Sequence, residues 1–264
     1  MGHRIVVATG DALSERLAGP GIRARHMAEA LGAHHDVRLV STSSCALADQ
    51  PRHRCEAATD EESWRQLGDW ADVLVYQGYL LQQYPSVAES DLVVIADLYD
   101  PFHLEQLELY RLDEPELREQ VVSTSVRALN GQLRRGDAFL CASERQRLFW
   151  LGGLSAMGRI NPSTYDRDPT GRRLIDVVPF GLPSAPPVRT GPGIRGVTPG
   201  IGDDEFVLLW GGGIYNWFDP LTLVRAVARV RSRVPEVRLV FLGGGHPNPE
   251  IDEMRMAVDA RHLA

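Results

Sequence analysis

Asp97, Asp100 and His103 stand three residues apart and could together carry out proton chemistry. Carboxylates that lie close together can have their pKa values pushed apart, and histidine titrates near neutrality. Such a group could orient or deprotonate a hydroxyl substrate. The ordinary alternative is that one acid caps a helix beginning near Phe102 while His103 is solvated. We take Asp100 and His103 as the catalytic candidates.

Two runs of glycine follow strand-like segments in the last third of the chain. Residues 206–210 and 237–242 are short apolar runs, typical of strands buried on both faces. The glycines that follow them are Gly211, Gly212, Gly213, Gly243, Gly244 and Gly245. Glycine at the carboxyl end of a parallel strand exposes backbone N–H groups to a ligand. With Asn216 and Trp217 in the first loop, these residues are candidates for binding the phosphate groups of a ligand, and two ordinary tight turns are the alternative.

An earlier glycine turn precedes the first helix-like segment and contains Gly19, Gly21 and Arg23. Backbone amides at a helix N-terminus and a nearby guanidinium suit an anion. We therefore take this loop as a candidate anion site. A flexible loop with a surface arginine is the alternative.

These candidates need a scaffold that brings strand ends together, and the first 181 residues alternate strand-like and helix-like segments. The predicted strands cover 4–8, 36–40, 72–76, 91–96, 138–142 and 174–178, and the predicted helices include 21–31, 114–133 and 144–151. This alternation implies βαβ units and a mostly parallel sheet. Asp100 and His103 are then expected at the same sheet edge as Gly19 and Arg23, and Ser143 is predicted to be a helix N-cap.

The composition changes over residues 182–204, where prolines and glycines are concentrated. This segment predicts a linker between a Rossmann-like domain over 1–181 and a second domain over 205–264. The second piece offers one βαβ unit and a partial helix over 249–260, which is too little to cover a parallel sheet on both faces. We therefore expect the chain to end before its second domain is complete.

The overall composition is that of an ordinary soluble protein. A chain of 264 residues with 44% hydrophobic content can bury a substantial core. The net charge of −7 argues against nucleic-acid binding, and no stretch approaches a transmembrane span. The 3 cysteines have no metal spacing and suit a reducing cytosol. We expect a cytoplasmic protein, with peripheral contact at the inner face of the membrane left open.

Five short segments follow element boundaries over nearly the whole chain. They are GPGIR at 19–23, ADLYDP at 96–101, CASERQ at 141–146, VVPFGL at 177–182 and WGGG at 210–213. In their order and spacing they resemble a family 4 glycosyltransferase of the GT-B fold. The resemblance implies two Rossmann-like domains, with the acceptor held mainly by the N-terminal one and the nucleotide-sugar donor by the C-terminal one. It also implies that the loop at 19–23 reaches toward the acceptor or the donor phosphates, and that the glycine loops of the second domain bind the donor phosphates.

The resemblance also implies a reaction. A glycosyl group would pass from the nucleotide-sugar, a co-substrate, to a hydroxyl of a glycan, a lipid-linked or a small-molecule acceptor. The anomeric configuration would be retained with no metal or other cofactor, and loop amides and arginine would stabilise the departing diphosphate. The chain lacks the family's later glutamate-rich donor motif, and residues 216–219, NWFD, stand where a lysine is common. We therefore expect weak donor binding by this chain alone.

Two other functions fit part of the sequence. A nucleotide-sugar epimerase shares the Rossmann-like fold, and a non-catalytic module that binds a glycan or a partner subunit would account for a small second domain. A dehydrogenase fits less well. Residues 9–21 form a loop too long for the tight dinucleotide turn, and no acid ends the second predicted strand.

Overall fold

The computed structural model describes residues 2–182, 185–243 and 253–264. The chain divides into two compact units, residues 1–181 and 182–264, each with its own sheet. Residues 185–205 contain neither helix nor strand.

The first unit is built on a 7-stranded sheet in which every neighbouring pair is parallel. Its strands are β1 (Arg4–Thr9), β2 (Asp36–Ser41), β3 (Arg54–Ala57), β4 (Val73–Tyr76), β5 (Val93–Asp97), β6 (Ala138–Cys141) and β7 (Ile175–Val177). Their order across the sheet is β3-β2-β1-β4-β5-β6-β7. The predicted α/β class and parallel sheet are therefore confirmed, whereas the edge strand β3 was not predicted.

Eight helices in the described part of this unit connect the strands. They are α1 (Gly19–Leu31), α2 (Glu61–Trp70), α3 (Leu80–Gln83), α4 (Pro85–Glu89), α5 (Phe102–Leu109), α6 (Pro115–Arg135), α7 (Glu144–Ala156) and α8 (Pro162–Arg167). Helix α7 begins where predicted, because the Ser143 hydroxyl accepts a hydrogen bond from the Gln146 amide at 3.2 Å and satisfies a free N–H of the first turn. Across the described residues of both units, no helix has the length and apolar character needed to cross a membrane.

The core of the first unit lies on both faces of the sheet. Along β1, Val6 and Ala8 pack in one hydrophobic cluster, whereas Ile5 and Val7 pack in another on the opposite face. This alternation follows from the two-residue period of a strand, and helices on each face exclude water from both sets. The central strands are consequently fixed from both sides, which holds the ends of β1, β4 and β5 in place.

The second unit contains a parallel pair of strands. These are β8 (Phe206–Gly211) and β9 (Val237–Leu242), with Phe206 opposite Val237 and Gly211 opposite Leu242. Helix α9 (Pro220–Arg231) connects them, and α10 (Arg255–Leu263) follows. Adjacent parallel strands were predicted for these two segments, and the pairing confirms it. Of the helix predicted over 249–260, residues 249–252 lie outside the described part of the chain.

Candidate functional site

A cleft lies at the point where the strand order of the first unit reverses. The chain moves from β1 outward to β2 and β3, and then returns to the other side of β1 to form β4. The connections leaving β1 and β4 therefore diverge, and in open α/β sheets ligands bind in the crevice that this leaves at the carboxyl ends of the strands. The cleft has a volume of about 240 Å³. Its polar lining side chains are Thr9, Thr42, Gln77, Tyr79, Gln83, Asp97 and Asp100.

The lining of this cleft combines hydroxyl, amide and carboxyl groups. Among the described residues that line it there is no arginine, lysine or histidine. Amides and hydroxyls both donate and accept hydrogen bonds, and carboxylates only accept them. The cleft is therefore suited to a neutral ligand rich in hydroxyl groups and poorly suited to a phosphate.

Asp97, the last residue of β5, forms a buried ion pair with Arg23 of α1. The Arg23 Nε donates to Asp97 Oδ2 at 2.5 Å, and Nη2 donates to Oδ1 at 2.9 Å. The two side chains are 5% and 4% exposed, and the guanidinium lies 4.8 Å from the Tyr99 ring and 5.0 Å from the Phe180 ring. Burial raises the pKa of Asp97, while the Arg23 hydrogen bonds oppose that rise. We treat the pair as ionised because a two-point contact with guanidinium favours the carboxylate.

Asp100 lines the same cleft but has no cation beside it among the described residues. Burial, and then the charge of Asp97, raise the pKa of Asp100 to about 6. The carboxyl therefore loses its proton just below neutral pH, which places it in the range useful for accepting a proton or a hydrogen bond from a hydroxyl. Of the two catalytic candidates from the sequence, Asp100 is the one that the structure brings to the cleft.

The loop that carries Asp100 is held by side chains of α7. Trp150 Nε1 donates to the Leu98 carbonyl at 2.9 Å, and Gln146 Nε2 donates to the Tyr99 carbonyl at 2.6 Å. The Leu98 amide in turn donates to the Leu140 carbonyl at 2.7 Å. These bonds satisfy backbone groups that have left the β5 ladder, so the loop has a fixed path.

His103 does not line the cleft, and this corrects the expectation that it faces the same cleft as Asp100. Its ring lies 6.3 Å from the Phe149 ring and 6.0 Å from the Trp150 ring, both on α7. Burial lowers the pKa of His103, and its Nδ1 is buried without a hydrogen-bond partner among the described residues. Because α5 begins at Phe102, residue 103 turns away from the strand ends toward the aromatic side chains of α7.

Glu105, two residues after His103 on α5, is a titratable group that was not predicted from the sequence. Burial raises its pKa to about 7, and the charge of Asp100 contributes to the rise. Asp100 and Glu105 are thus two nearby acids whose pKa values are both raised. Sequence spacing alone could not predict this, because it depends on how deeply α5 packs. Glu105 does not itself line the cleft.

The donors of the glycine turn before α1 already have partners within the protein. The Gly21 amide donates to Asp11 Oδ2 at 2.8 Å, so an internal carboxylate lies at the N-terminus of α1. The Arg23 guanidinium is paired with Asp97, as described above. A Cβ at Gly21 would come within 3.2 Å of Asp11 Oδ2, whereas one at Gly19 would meet nothing within 4 Å. The structure therefore offers neither the Gly21 amide nor the Arg23 guanidinium to an outside anion.

Asp11 and the segment after β4 were not singled out from the sequence. Gln77, Gly78 and Tyr79 follow β4 directly, and Gly78 takes a φ of +78°, which glycine adopts without strain. The Gly78 carbonyl accepts a hydrogen bond from Gln132 of α6. The sequence feature that could have identified residues 77–79 is their position directly after a buried strand.

In the second unit, the glycine loop after β8 is arranged around aromatic side chains. Gly212 has a φ of +126°, and a Cβ at Gly213 would come within 2.8 Å of the Tyr215 ring, so both positions favour glycine. Trp210 Nε1 donates to the Gly213 carbonyl at 3.2 Å. After β9, Gly243 has a φ of +89°, and the candidates Gly244 and Gly245 lie outside the described residues.

Asn216 and Trp217 lie in the same loop and have different surroundings. Asn216 Oδ1 accepts a hydrogen bond from the Met256 amide at 3.1 Å, which ties the loop to the start of α10. The Trp217 ring stacks on the Tyr215 ring, with centroids 5.0 Å apart and planes inclined by 4°. Asn216 thus contributes to the structure of the loop, and Trp217 belongs to an aromatic pair.

No group of three or more histidine, cysteine or acidic side chains in the described parts of the chain is arranged to hold a metal ion. No protein-family model matches the chain, and no curated protein matches it.

Proposed function

We propose that this protein is a glycosyltransferase of the GT-B type that binds a hydroxyl acceptor in the cleft of its first unit. The observation that carries the proposal is the cleft at the reversal of strand order, with amide and hydroxyl side chains around one carboxyl that has no cationic partner in the described lining. Sugars and other polyols present the donors and acceptors that such a lining pairs with. The order of the five segments that resemble family 4 glycosyltransferases supplies the reaction class.

In this account, Asp100 accepts a hydrogen bond from the acceptor hydroxyl and so orients its oxygen. That oxygen forms the new bond to the anomeric carbon as the bond from this carbon to the diphosphate breaks. Asp100 takes up the hydroxyl proton, and the diphosphate leaves as an anion. The configuration at the anomeric carbon is retained and no metal ion takes part, as the resemblance implies. Asp97 acts through Arg23, because their pairing fixes the strand end from which the Asp100 loop departs.

For the donor, we propose the second unit. The backbone amides at Gly211, Gly212 and Gly213 follow a parallel strand and are suited to diphosphate oxygens. The Arg23 guanidinium is not part of this proposal, since its charge is already balanced by Asp97. An epimerase is less well supported, because a dinucleotide would place its pyrophosphate at the N-terminus of α1, where the Asp11 carboxylate lies.

The test is a product screen with the full chain. Uridine, guanosine and thymidine diphosphate sugars are each incubated with neutral glycans, lipid-linked acceptors and small polyols, and products are identified by mass spectrometry. Because weak donor binding is expected, each donor is supplied at about 10 mM. We expect at least one donor and acceptor pair to give, in low yield, a product heavier than the acceptor by one glycosyl residue, and D100N to lower that yield further. Asp91→Asn is the matched control, because Asp91 is exposed and lies just before β5, whereas Asp100 lies just after it.

Saturable acceptor binding without transfer by any donor would contradict the enzyme proposal and favour a glycan-binding module. Equal product yields from D100N and wild type would contradict the role given to Asp100.

A further inference from the structure

A second cavity lies at the opposite edge of the first sheet from the cleft. It has a volume of about 410 Å³, which falls in the range of small-molecule sites. Asp137 and Leu174, which line it, immediately precede β6 and β7, so the cavity opens at the amino-terminal edge of these strands. The cleft that we assign to the acceptor is at the carboxyl-terminal edge, and the two do not share a lining residue.

Part of the lining of this second cavity is apolar. Leu151 of α7 and the buried Leu174 contribute aliphatic surface, and Ile160 is 39% exposed. Tyr165 on α8 is 57% exposed. An exposed isoleucine and an exposed aromatic ring beside a concave surface offer contact area to an apolar group of a ligand.

The lining also includes three arginines, and their roles differ. The Arg159 guanidinium donates to the carbonyls of Leu133, Arg134 and Gly136 at 2.9, 2.7 and 2.7 Å, so it caps the end of α6. Arg167 and Arg173 are exposed, and their guanidinium groups have no hydrogen bond or ion pair within the described ranges of the chain. Each of these two side chains can donate several hydrogen bonds to a ligand.

The two carboxylates of the cavity are already engaged with protein donors. Asp168 accepts from the Thr170 hydroxyl at 2.6 Å and from the Arg173 amide at 2.8 Å, and its pKa is lowered to about 2, chiefly by the Thr170 hydroxyl. Asp137 accepts from the Val94 amide at 2.8 Å and pairs with Arg135 at 3.1 Å. Both carboxylates therefore have partners other than the Arg167 and Arg173 guanidinium groups, which remain available as hydrogen-bond donors in the cavity.

We propose that this cavity binds a small organic anion with an apolar ring or chain. The apolar part lies against Ile160 and Tyr165, and the phosphate or carboxylate group accepts hydrogen bonds from Arg167 and Arg173, whose guanidinium geometry matches such oxygens. The inference does not depend on the proposed function, because it uses no residue of the cleft.

The test is calorimetric titration of the full chain with phenyl phosphate, beside inorganic phosphate and benzyl alcohol, which each carry only one half of the proposed chemistry. We expect saturable binding of phenyl phosphate and at least about tenfold weaker binding of the other two. Arg167→Gln and Arg173→Gln should each weaken phenyl phosphate binding by about tenfold, and Arg145→Gln, a control on exposed α7 surface, should leave it unchanged.

A co-sedimentation assay with phosphatidylglycerol vesicles separates the two sources of such an anion. Binding to vesicles that is lost in both arginine variants, without binding of phenyl phosphate, would keep the chemistry and identify a lipid headgroup as the source. The proposal is overturned if neither ligand binds up to ~10 mM anion, a range that includes very weak sites. It is also overturned if the Arg167 and Arg173 variants bind as the wild type does. Thermal unfolding of each variant checks that the fold is intact.

Discussion

At the scale of single residues, Asp97 and Asp100 differ in their partners and hence in their chemistry. Asp97 is paired with the buried Arg23 guanidinium, so its negative charge is balanced within the protein. Asp100 faces the cleft with no cation beside it in the described lining, and its pKa rises to about 6. The carboxylate open to a ligand is therefore Asp100.

The buried pair gives a first prediction about stability. Arg23→Leu should lower the free energy of unfolding by about 3–5 kcal/mol, because it leaves the Asp97 charge buried without its partner. The double variant R23L/D97L removes both charges and should be more stable than R23L alone. Urea denaturation measures all three proteins. A double variant as unstable as R23L would contradict the ion-pair interpretation.

The raised pKa of Asp100 gives a second prediction, on pH. The folded protein binds the Asp100 proton more tightly than the unfolded chain does, because the pKa of Asp100 is higher in the folded state. The contribution of Asp100 to the free energy of unfolding is therefore greatest below about pH 4 and is lost as the pH rises through about 6. Asp100→Asn removes this cost. It should be more stable than the wild type at pH 7–8 by about 1–3 kcal/mol, and nearly equal to it at pH 4.

Thermal unfolding of wild type and D100N at the two pH values makes the comparison. D91N, which alters an exposed acid, should show no such dependence. A D100N protein that is less stable than the wild type at both pH values would show that Asp100 makes favourable contacts instead.

For the site residues, the sequence predicts which of them follow a strand better than it predicts which side chains pair with each other. Asp100 could be predicted because it follows a buried strand. The pairing of Arg23 with Asp97 could not, since it joins residues 74 apart in the sequence and depends on how α1 packs across the sheet. His103 was misplaced for a similar reason, because its orientation is set by the aromatic rings of α7 and not by its distance from Asp100.

At the scale of elements, the loop that precedes α1 is held against the first turn of this helix. The loop from Gly10 to Ala18 places the Asp11 carboxylate against the Gly21 amide, where it offsets the positive end of the helix dipole. The same loop is held by the Leu13 amide, which donates to the Ser44 carbonyl at 2.8 Å. These contacts hold in place the loop between β1 and α1, which borders the cleft.

A pair of glycine substitutions tests this arrangement. Gly21→Ala adds a Cβ that lies 3.1 Å from the Leu17 side chain and 3.2 Å from Asp11 Oδ2, so both must shift. We expect a loss of about 1–3 kcal/mol in the free energy of unfolding. Gly19→Ala, on the same turn, meets nothing within 4 Å and should change stability little. Chemical denaturation measures the free energy of unfolding of both variants. Equal values for the two would contradict the close contact of Gly21 with Leu17 and Asp11.

Most strands were predictable because buried parallel strands are continuous apolar runs. Residues 36–40 and 138–142, for example, correspond to β2 and β6 within one residue at each end. β3 was missed because it has only 4 residues, Arg54-Cys55-Glu56-Ala57, of which two are charged, as suits a strand at the edge of the sheet. The hydrogen bonds from Gln146 and Trp150 to the Asp100 loop could not be predicted, since helical spacing does not specify side-chain partners across the fold.

At the scale of the whole molecule, the two units differ in how much core each contains. The first has 7 strands covered on both faces, whereas the described part of the second has 2 strands. Within the second unit, Phe206, Leu209 and Leu242 of the strands are exposed by 57%, 52% and 46%. A two-stranded sheet with exposed apolar side chains is marginal by itself.

Separate expression of the units tests this difference. Residues 1–181 should give one cooperative unfolding transition by circular dichroism, because their sheet and its helices form a complete core. Residues 182–264 alone should show no cooperative transition. A cooperative transition for the second fragment, or its absence for the first, would contradict the assignment of the core.

The most direct test of the central claim is the pH dependence of kcat/KM for the acceptor, measured from pH 5 to 8 with the donor and acceptor pair that gives a product. We predict that kcat/KM rises through an apparent pKa of about 6 and then levels, because Asp100 must be ionised to accept the hydrogen bond of the acceptor hydroxyl. D100N should be slower by about 10²-fold or more and lack this inflection, while D91N follows the wild type. A D100N profile with the same inflection and the same rate as the wild type would contradict the account.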